Sequence, residues 1–302
     1  MKNKTIFLFS FLTILLLGVF VVSLAIGQIE ISFLQIMKIL FQFDVTSVEG
    51  KIIFFHRLPK SIVAILTGIA LPTSGFLLQE LFKNPIAGPS VLGISSTAAL
   101  GVAIFIFLGS YFLPESFEYN SWLIISFAFF GAIVATLLVL LFSLKISNPS
   151  NLIVIGFILS AFSGAMISFL EYISPADKIK EYVFWGFGSF SAIDWTQIVI
   201  YSFCVFIALF ILVFYLKDLS YFMLGNAYAK TLGVELGKLK LILLLIASFL
   251  TAVSISFTGP IVFVGIVIPF ICKTILKTTN YKKLLAFICL LGMLFMWLRC
   301  RY

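Results

Sequence analysis

Eight uncharged runs set the limits on this fold, at residues 5–29, 61–79, 84–114, 121–144, 146–170, 195–216, 241–272 and 284–298. A helix crossing about 30 Å of hydrocarbon needs roughly 20 apolar residues, and most of the runs supply that. The run 241–272 holds 32 residues and is interrupted by Gly259-Pro260, enough for one full helix, a break and a shorter second helix. None shows the two-residue alternation of a membrane β-barrel. With 62% hydrophobic residues and 36 Phe in 302, the chain could not fold in water without large exposed apolar patches. The expectation is an all-α, polytopic membrane helical bundle of about nine spans, a single transmembrane domain over 1–302.

The first run follows Lys2 and Lys4, and Ser23-Leu24-Ala25 resembles a signal-cleavage site. Its apolar core is about twice the usual 7–15 residues of a signal peptide, which favours a retained helix. With the amino terminus inside and 241–272 crossing twice, 12 of the 20 cations fall on cytoplasmic segments beside only Glu80, Asp218 and Glu235. The other side then holds 8 cations and 9 acids. This is the asymmetry of the positive-inside rule. The net charge of +8 is therefore a topology signal rather than a nucleic-acid footprint. A single crossing by 241–272 would put the lysines of 273–283 outside and weaken the bias.

Chemistry is sparse. No apolar run contains Asp, Glu, Lys, Arg or His, whereas ion-coupled transporters usually place such groups at mid-membrane. Residues 233–239, GVELGKL, come near a nucleotide-binding loop, but the spacing is one residue short and no Ser or Thr follows the Lys. A lone His56 makes no metal site. Cys204, Cys272, Cys289 and Cys300 show neither zinc spacing nor a disulfide framework and read as apolar packing residues. A transporter built this way draws its energy from elsewhere. An ion-coupled secondary transporter and a non-transporting remnant are the alternative readings.

The polar punctuation is more informative. Arg57-Leu58-Pro59-Lys60 precedes the span 61–79, and Glu80 to Pro85 with Gly88-Pro89 follows it. Asn84-Pro85 and Gly259-Pro260 are expected to be structural turns. Pro72 is expected to kink its helix or open it locally, which neighbours can accommodate by satisfying the freed carbonyl. Along the helix expected at about 151–170, Gly156, Ser160, Gly164 and Ser168 recur every four residues, with Ser163 beside them. That stripe reads either as close helix packing or as a smooth wall of a path. The segment 171–194 is too short to span and reads as re-entrant or interfacial. In the loop 217–240, residues 224–234 read as a short helix capped by Asn226 and ended by Gly233.

These motifs converge on one family. RLPK at 57–60, the run 66–79, KNPIAGPSVLGISS at 83–96, LGNAYAKTLGV at 224–234 and GPIVFVGIVIPF at 259–270 resemble permeases of the FecCD type. Those permeases serve the iron-siderophore, haem and vitamin B12 importers of the ATP-binding-cassette class. The resemblance implies a multi-pass protein of the bacterial inner membrane, paired with a second permease or itself, with a cytoplasmic ATPase and an extracytoplasmic binding protein. It implies no cofactor on this subunit and ATP on the partner. By likeness, Arg57 and Lys60 receive carboxylates of the binding protein at the outer mouth. An ordinary snorkelling pair is the alternative. By the same likeness, Leu224, Gly225, Ala229, Leu232 and Gly233 resemble the element that couples to the ATPase. Ser150, Gly156, Ser160 and Gly164 resemble the pathway and gate region.

Two departures stand out. Phe270 takes the place where the family usually has His. The family also continues past this point through a Glu-x-Pro-x-Gly turn and a tenth helix, which 294–302 does not match. The expectation is a shortened carboxyl terminus.

Overall fold

The computed structural model describes residues 2–25, 27, 29–112, 114, 120–143, 151–191, 193–278 and 280–299, and every regular element in them is helical. Helix α1 (Lys2–Ala25) is followed by α2 (Phe33–Gln42), α3 (Val48–Ile52) and a π-helical turn (Ile53–Arg57) that runs directly into α4 (Leu58–Phe82). A 3-10 turn (Pro89–Leu92) leads to α5 (Ile94–Phe112), α6 (Ser121–Ser143), α7 (Asn151–Ile173) and α8 (Ala176–Gly186). Then come α9 (Trp195–Met223), α10 (Asn226–Thr231), α11 (Leu236–Thr258), α12 (Val264–Leu276) and α13 (Tyr281–Arg299). Among the described residues, seven helices are long and apolar enough to cross a membrane. Ile94–Gly109 and Val264–Leu276 are shorter apolar helices. The bundle has an Arg57 end, where α4 starts, and a Lys83 end, where it stops.

Helix α4 is the centre. In its most apolar stretch 89% of residues are buried, against 6% for α1. It packs against α13, α11, α12 and α9. Lipid tails are as apolar as Leu, so helices in a membrane associate through close packing and hydrogen bonds. Helix α4 supplies both. The Thr67 hydroxyl shares a hydrogen bond with the Tyr201 hydroxyl of α9 at 3.0 Å, and Tyr201 donates to Ser254 of α11 at 3.1 Å. Ser74 lies 2.7 Å from Thr251 and donates to the Ala247 carbonyl at 2.7 Å. Such interhelical bonds contribute about 0.6 kcal/mol each.

The two intrahelical prolines explain how α12 and α13 fit. A proline cannot donate to the carbonyl four residues earlier. Pro72 thus frees the Gly68 carbonyl, and Pro269 on α12 frees that of Gly265. Each freed oxygen meets a glycine of the facing helix. A Cβ placed on Gly292 of α13 would lie 2.0 Å from the Gly68 oxygen, and one on Gly75 would lie 1.6 Å from the Gly265 oxygen. Only a bare Cα fits there, in a Cα–H···O approach. The local opening expected at Pro72 is thus filled by a partner helix. Helices α5 and α6 cross through small residues in the same manner, Gly101 against the Phe127 carbonyl and Gly131 against that of Thr97.

Several boundaries differ from expectation. The segment 29–60 is largely helical. Ser32 and Gln35 form a capping box on α2, and Phe43 closes it in the left-handed conformation at φ 49°. Between α2 and α3, hydrogen bonds from Thr46 and Ser47 hold the Asp44 carboxyl down at about 2. Within the uncharged run 84–114 the helix proper starts only at Ile94, after the 3-10 turn Pro89–Leu92. Helices α9 and α11 run through the charges that bounded the uncharged runs, so only 224–235 separates them. An uncharged run measures hydrocarbon thickness, and a helix can continue beyond it into the headgroups. The expected cap Asn226 is instead the first residue of α10, and Gly225, at φ 125°, is the capping position.

Candidate functional site

At the Arg57 end, the π-helical turn delivers the Arg57 side chain to the last carbonyls of α1. The guanidinium donates to Leu24 at 2.5 Å, to Ala25 at 3.1 Å and to Ile29. Helix carboxyl ends leave such acceptors unmet, and a cation there also complements the helix dipole. Among the described residues, three carbonyls meet the guanidinium. Lys60 follows one turn later and is half-buried.

The turn after α4 is built as its sequence suggests. Lys83 adopts the left-handed conformation at φ 48°, and the Asn84 amide donates to the Gln79 carbonyl at 3.1 Å. The Asn84 side chain then accepts from the Ile86 amide at 3.1 Å. Pro85 lies inside that turn. Immediately before it sits a polar cluster that sequence reasoning missed. Glu80, 3% exposed, pairs with Lys273 of α12 at 2.5 Å. The Lys273 ammonium also donates to Gln79 at 3.0 Å, while Gln79 donates to the Ile266 carbonyl at 3.0 Å. Tyr281 of α13 donates to Glu80 at 3.4 Å. The cluster ties α4, α12 and α13 together at the Lys83 end. The charge count had placed Glu80 and Lys273 in separate loops.

The small-residue stripe of α7 divides. Gly156 is a packing residue, since a Cβ there would lie 2.0 Å from the Val91 carbonyl of the 3-10 turn. Ser163 is buried. Ser160 is half-buried, Gly164 and Ser168 are exposed, and Gly164 has open space where a side chain would be. Close packing therefore accounts for Gly156 and does not account for Gly164. Ser150 lies outside the described residues.

At the Arg57 end, Gly259 takes φ 72°, and the Ser189 amide donates to the Thr258 carbonyl at 2.9 Å. The Gly259-Pro260 break is thereby clasped against the end of α8. Phe263 holds a positive φ of 70°, costly for a residue with a side chain. A cavity of about 410 Å³ opens here, lined mainly by Phe187, Val262, Phe263, Val267 and Phe295. At the other end, the loop around α10 keeps Ala229 buried and turns Leu224, Tyr228 and Leu232 outward. Gly233, at φ 82°, turns the chain toward α11. Three exposed apolar side chains, four residues apart and flanked by Lys230 and Lys238, make a compact apolar patch.

Comparison with known proteins agrees with this arrangement. The model of the FecCD transport family matches residues 14–299. The chain is 32% identical to the molybdate import system permease of Haemophilus influenzae over 300 residues, covering 94% of this chain and 84% of that one. It is 30% identical to the vitamin B12 import system permease of Klebsiella pneumoniae over 267 residues, covering 87% and 75%. A solved ABC transporter assigned to the metal-chelate type, in an inward-facing conformation, superposes with a TM-score of 0.82 at 29% identity, covering 97% of this chain and 88% of that one. The chain belongs to the FecCD transport family.

Proposed function

We propose that the chain is the membrane-spanning subunit of an ATP-driven importer that moves an iron chelate, of the siderophore, haem or cobalamin-like kind, into a bacterial cytoplasm. As a family member it is an ABC importer permease of the metal-chelate, vitamin B12 or molybdate type. The apolar cavity at the Arg57 end carries the finer reading. A bare oxyanion such as molybdate would lose its hydration there with no charged side chain lining the cavity to replace it. A chelate hides its metal behind an organic periphery and suits such a wall.

In this reading the Lys83 end faces the cytoplasm, the amino terminus lies on the same side, and Arg57 and Lys60 face outward. The permease pairs with a second copy or a related one across the exposed face of α7, so that Ser160 and Gly164 border the path. A separate ATPase seats against Leu224, Tyr228 and Leu232, and its closure on ATP tilts α9 and α11. This subunit performs no covalent step and binds no cofactor, ATP being held by the partner. An extracytoplasmic binding protein docks near Arg57 and Lys60. A guanidinium suits a carboxylate, and the backbone bonds of Arg57 hold it in register.

The test is uptake by vesicles containing the permease, its ATPase and its binding protein. ATP-dependent accumulation of a ferric chelate, without accumulation of molybdate, is expected. Uptake driven by an ion gradient without ATP overturns the reading in favour of a secondary transporter.

A further inference from the structure

We infer that α2 lies in the membrane interface at the Arg57 end as an in-plane anchor, its Phe33, Leu34, Met37 and Phe41 face immersed at the headgroup–acyl boundary. The inference is independent of which substrate the importer carries.

The helix has three faces rather than two. At 100° per residue, three directions separate by about 120°. Ile36 and Ile39 point into a buried cluster with Leu24 of α1 and Ile53 of the π-helical turn. Gln35, Lys38 and Gln42 line a polar cavity of about 190 Å³ with Asp44, Ser47 and Glu49. The third face is apolar and uncovered, with Leu34 79% and Phe41 77% exposed. A soluble loop helix has no use for that third face, and in water it would form a large sticky patch. A helix with one strongly polar face and one apolar face is the form that beds about 5–10 Å into a bilayer surface.

Depth supports the same conclusion. The α2 cluster includes Phe20, a full turn before the end of α1. Phe20 packs on Trp297 of α13 with ring centroids 5.1 Å apart. The Trp195 indole, at the start of α9, donates to the Phe54 carbonyl at 2.9 Å. Trp122 begins α6, and Trp185 lies in α8 beside Tyr182, which packs on Phe107 of α5. All four tryptophans of the chain therefore sit at the Arg57 end, in the layer where indoles concentrate in membrane proteins. Helix α1, packed against α2, also exposes apolar side chains, Ile14, Leu17 and Val22 among them. Lys38, on the adjacent polar face, is within reach of headgroup phosphate. The capping box and the left-handed close at Phe43 let this short helix persist as a unit.

The test uses the full-length permease in liposomes, with the native cysteines replaced and single cysteines placed at 34, 35, 37, 38, 41 and 42. Each carries a nitroxide, and its collisions with oxygen and with a water-soluble nickel chelate are compared. The expected result is high oxygen and low nickel accessibility at 34, 37 and 41, reversed at 35, 38 and 42, with a period of about 3.6 residues. Equal nickel accessibility on both faces overturns the proposal. Adding the extracytoplasmic binding protein is expected to leave the labels at 34, 37 and 41 unchanged. Immobilisation there on its addition assigns the face to a protein partner and equally overturns the proposal.

Discussion

Glu80 and Lys273 lie far apart in sequence and meet where α4, α12 and α13 join at the Lys83 end. A buried pair of this kind is not a large net stabiliser, because desolvation offsets the attraction. Removing one partner is different, since it leaves a charge buried without compensation. Lys273→Met strands the buried Glu80 carboxylate and is expected to lower unfolding stability by about 3 kcal/mol; Glu80→Gln leaves a partly exposed ammonium still bonded to Gln79 and should cost less. The double variant should lose far less than the sum. Denaturant unfolding in detergent checks this, and strict additivity of the two single effects would contradict the pairing. None of this was legible in the sequence, where each residue flanks an uncharged run and reads as a loop charge. Arg57 was half legible. Its place at a helix start was visible, but its backbone acceptors on α1 depend on how α1 turns back, which no local pattern encodes.

Among the helices, the prolines were readable and their partners were not. Gly68 and Gly75 stand seven residues apart on α4, and nothing nearby in sequence names Gly292 and Gly265 as the residues that meet them. Gly75→Ala is expected to push α12 off α4, because its Cβ would overlap the Gly265 carbonyl. The loss should be about 1–3 kcal/mol. Gly164→Ala on α7 has open space around it and should be neutral in the isolated subunit. Thermal unfolding of the two variants checks the contrast, and equal melting points would refute the close approach. The α7 stripe shows why a pattern alone is ambiguous. Its four-residue spacing is the same at Gly156, which packs, and at Gly164, which does not. The extents of α9 and α11 were underestimated for a related reason, since charge marks where hydrocarbon ends and not where the helix does.

For the whole molecule, the uncharged runs anticipated the helical spans well, including the break in 241–272, because membrane thickness is a ruler external to the chain. Partner faces have no such ruler, and the docking role proposed for Arg57 and Lys60 is where that part of the reading is tested. Charge at an outer mouth acts mainly on encounter rate and register. Lys60→Glu leaves the bonds from Arg57 to α1 in place and is expected to slow association of the binding protein. The slowing should be largest at low salt and fade as ions screen the mouth. Adding Arg57→Glu should deepen the effect, and an unchanged on-rate at low salt would refute the assignment. The notch between Pro72 and Gly292 carries a consequence for the inheritance of this fold. An allele that replaces Pro72 lets the Gly68 carbonyl return to its own helix, and the neighbouring ring is gone as well. The constraint on Gly292 then relaxes with it. Gly75 differs, because what a Cβ there meets first is the Gly265 backbone itself, its Cα included. Replacement of Pro72 is thus a suppressor of damage at a glycine on another helix, and variants at Pro72 and Gly292 have meanings that depend on the background in which they arise.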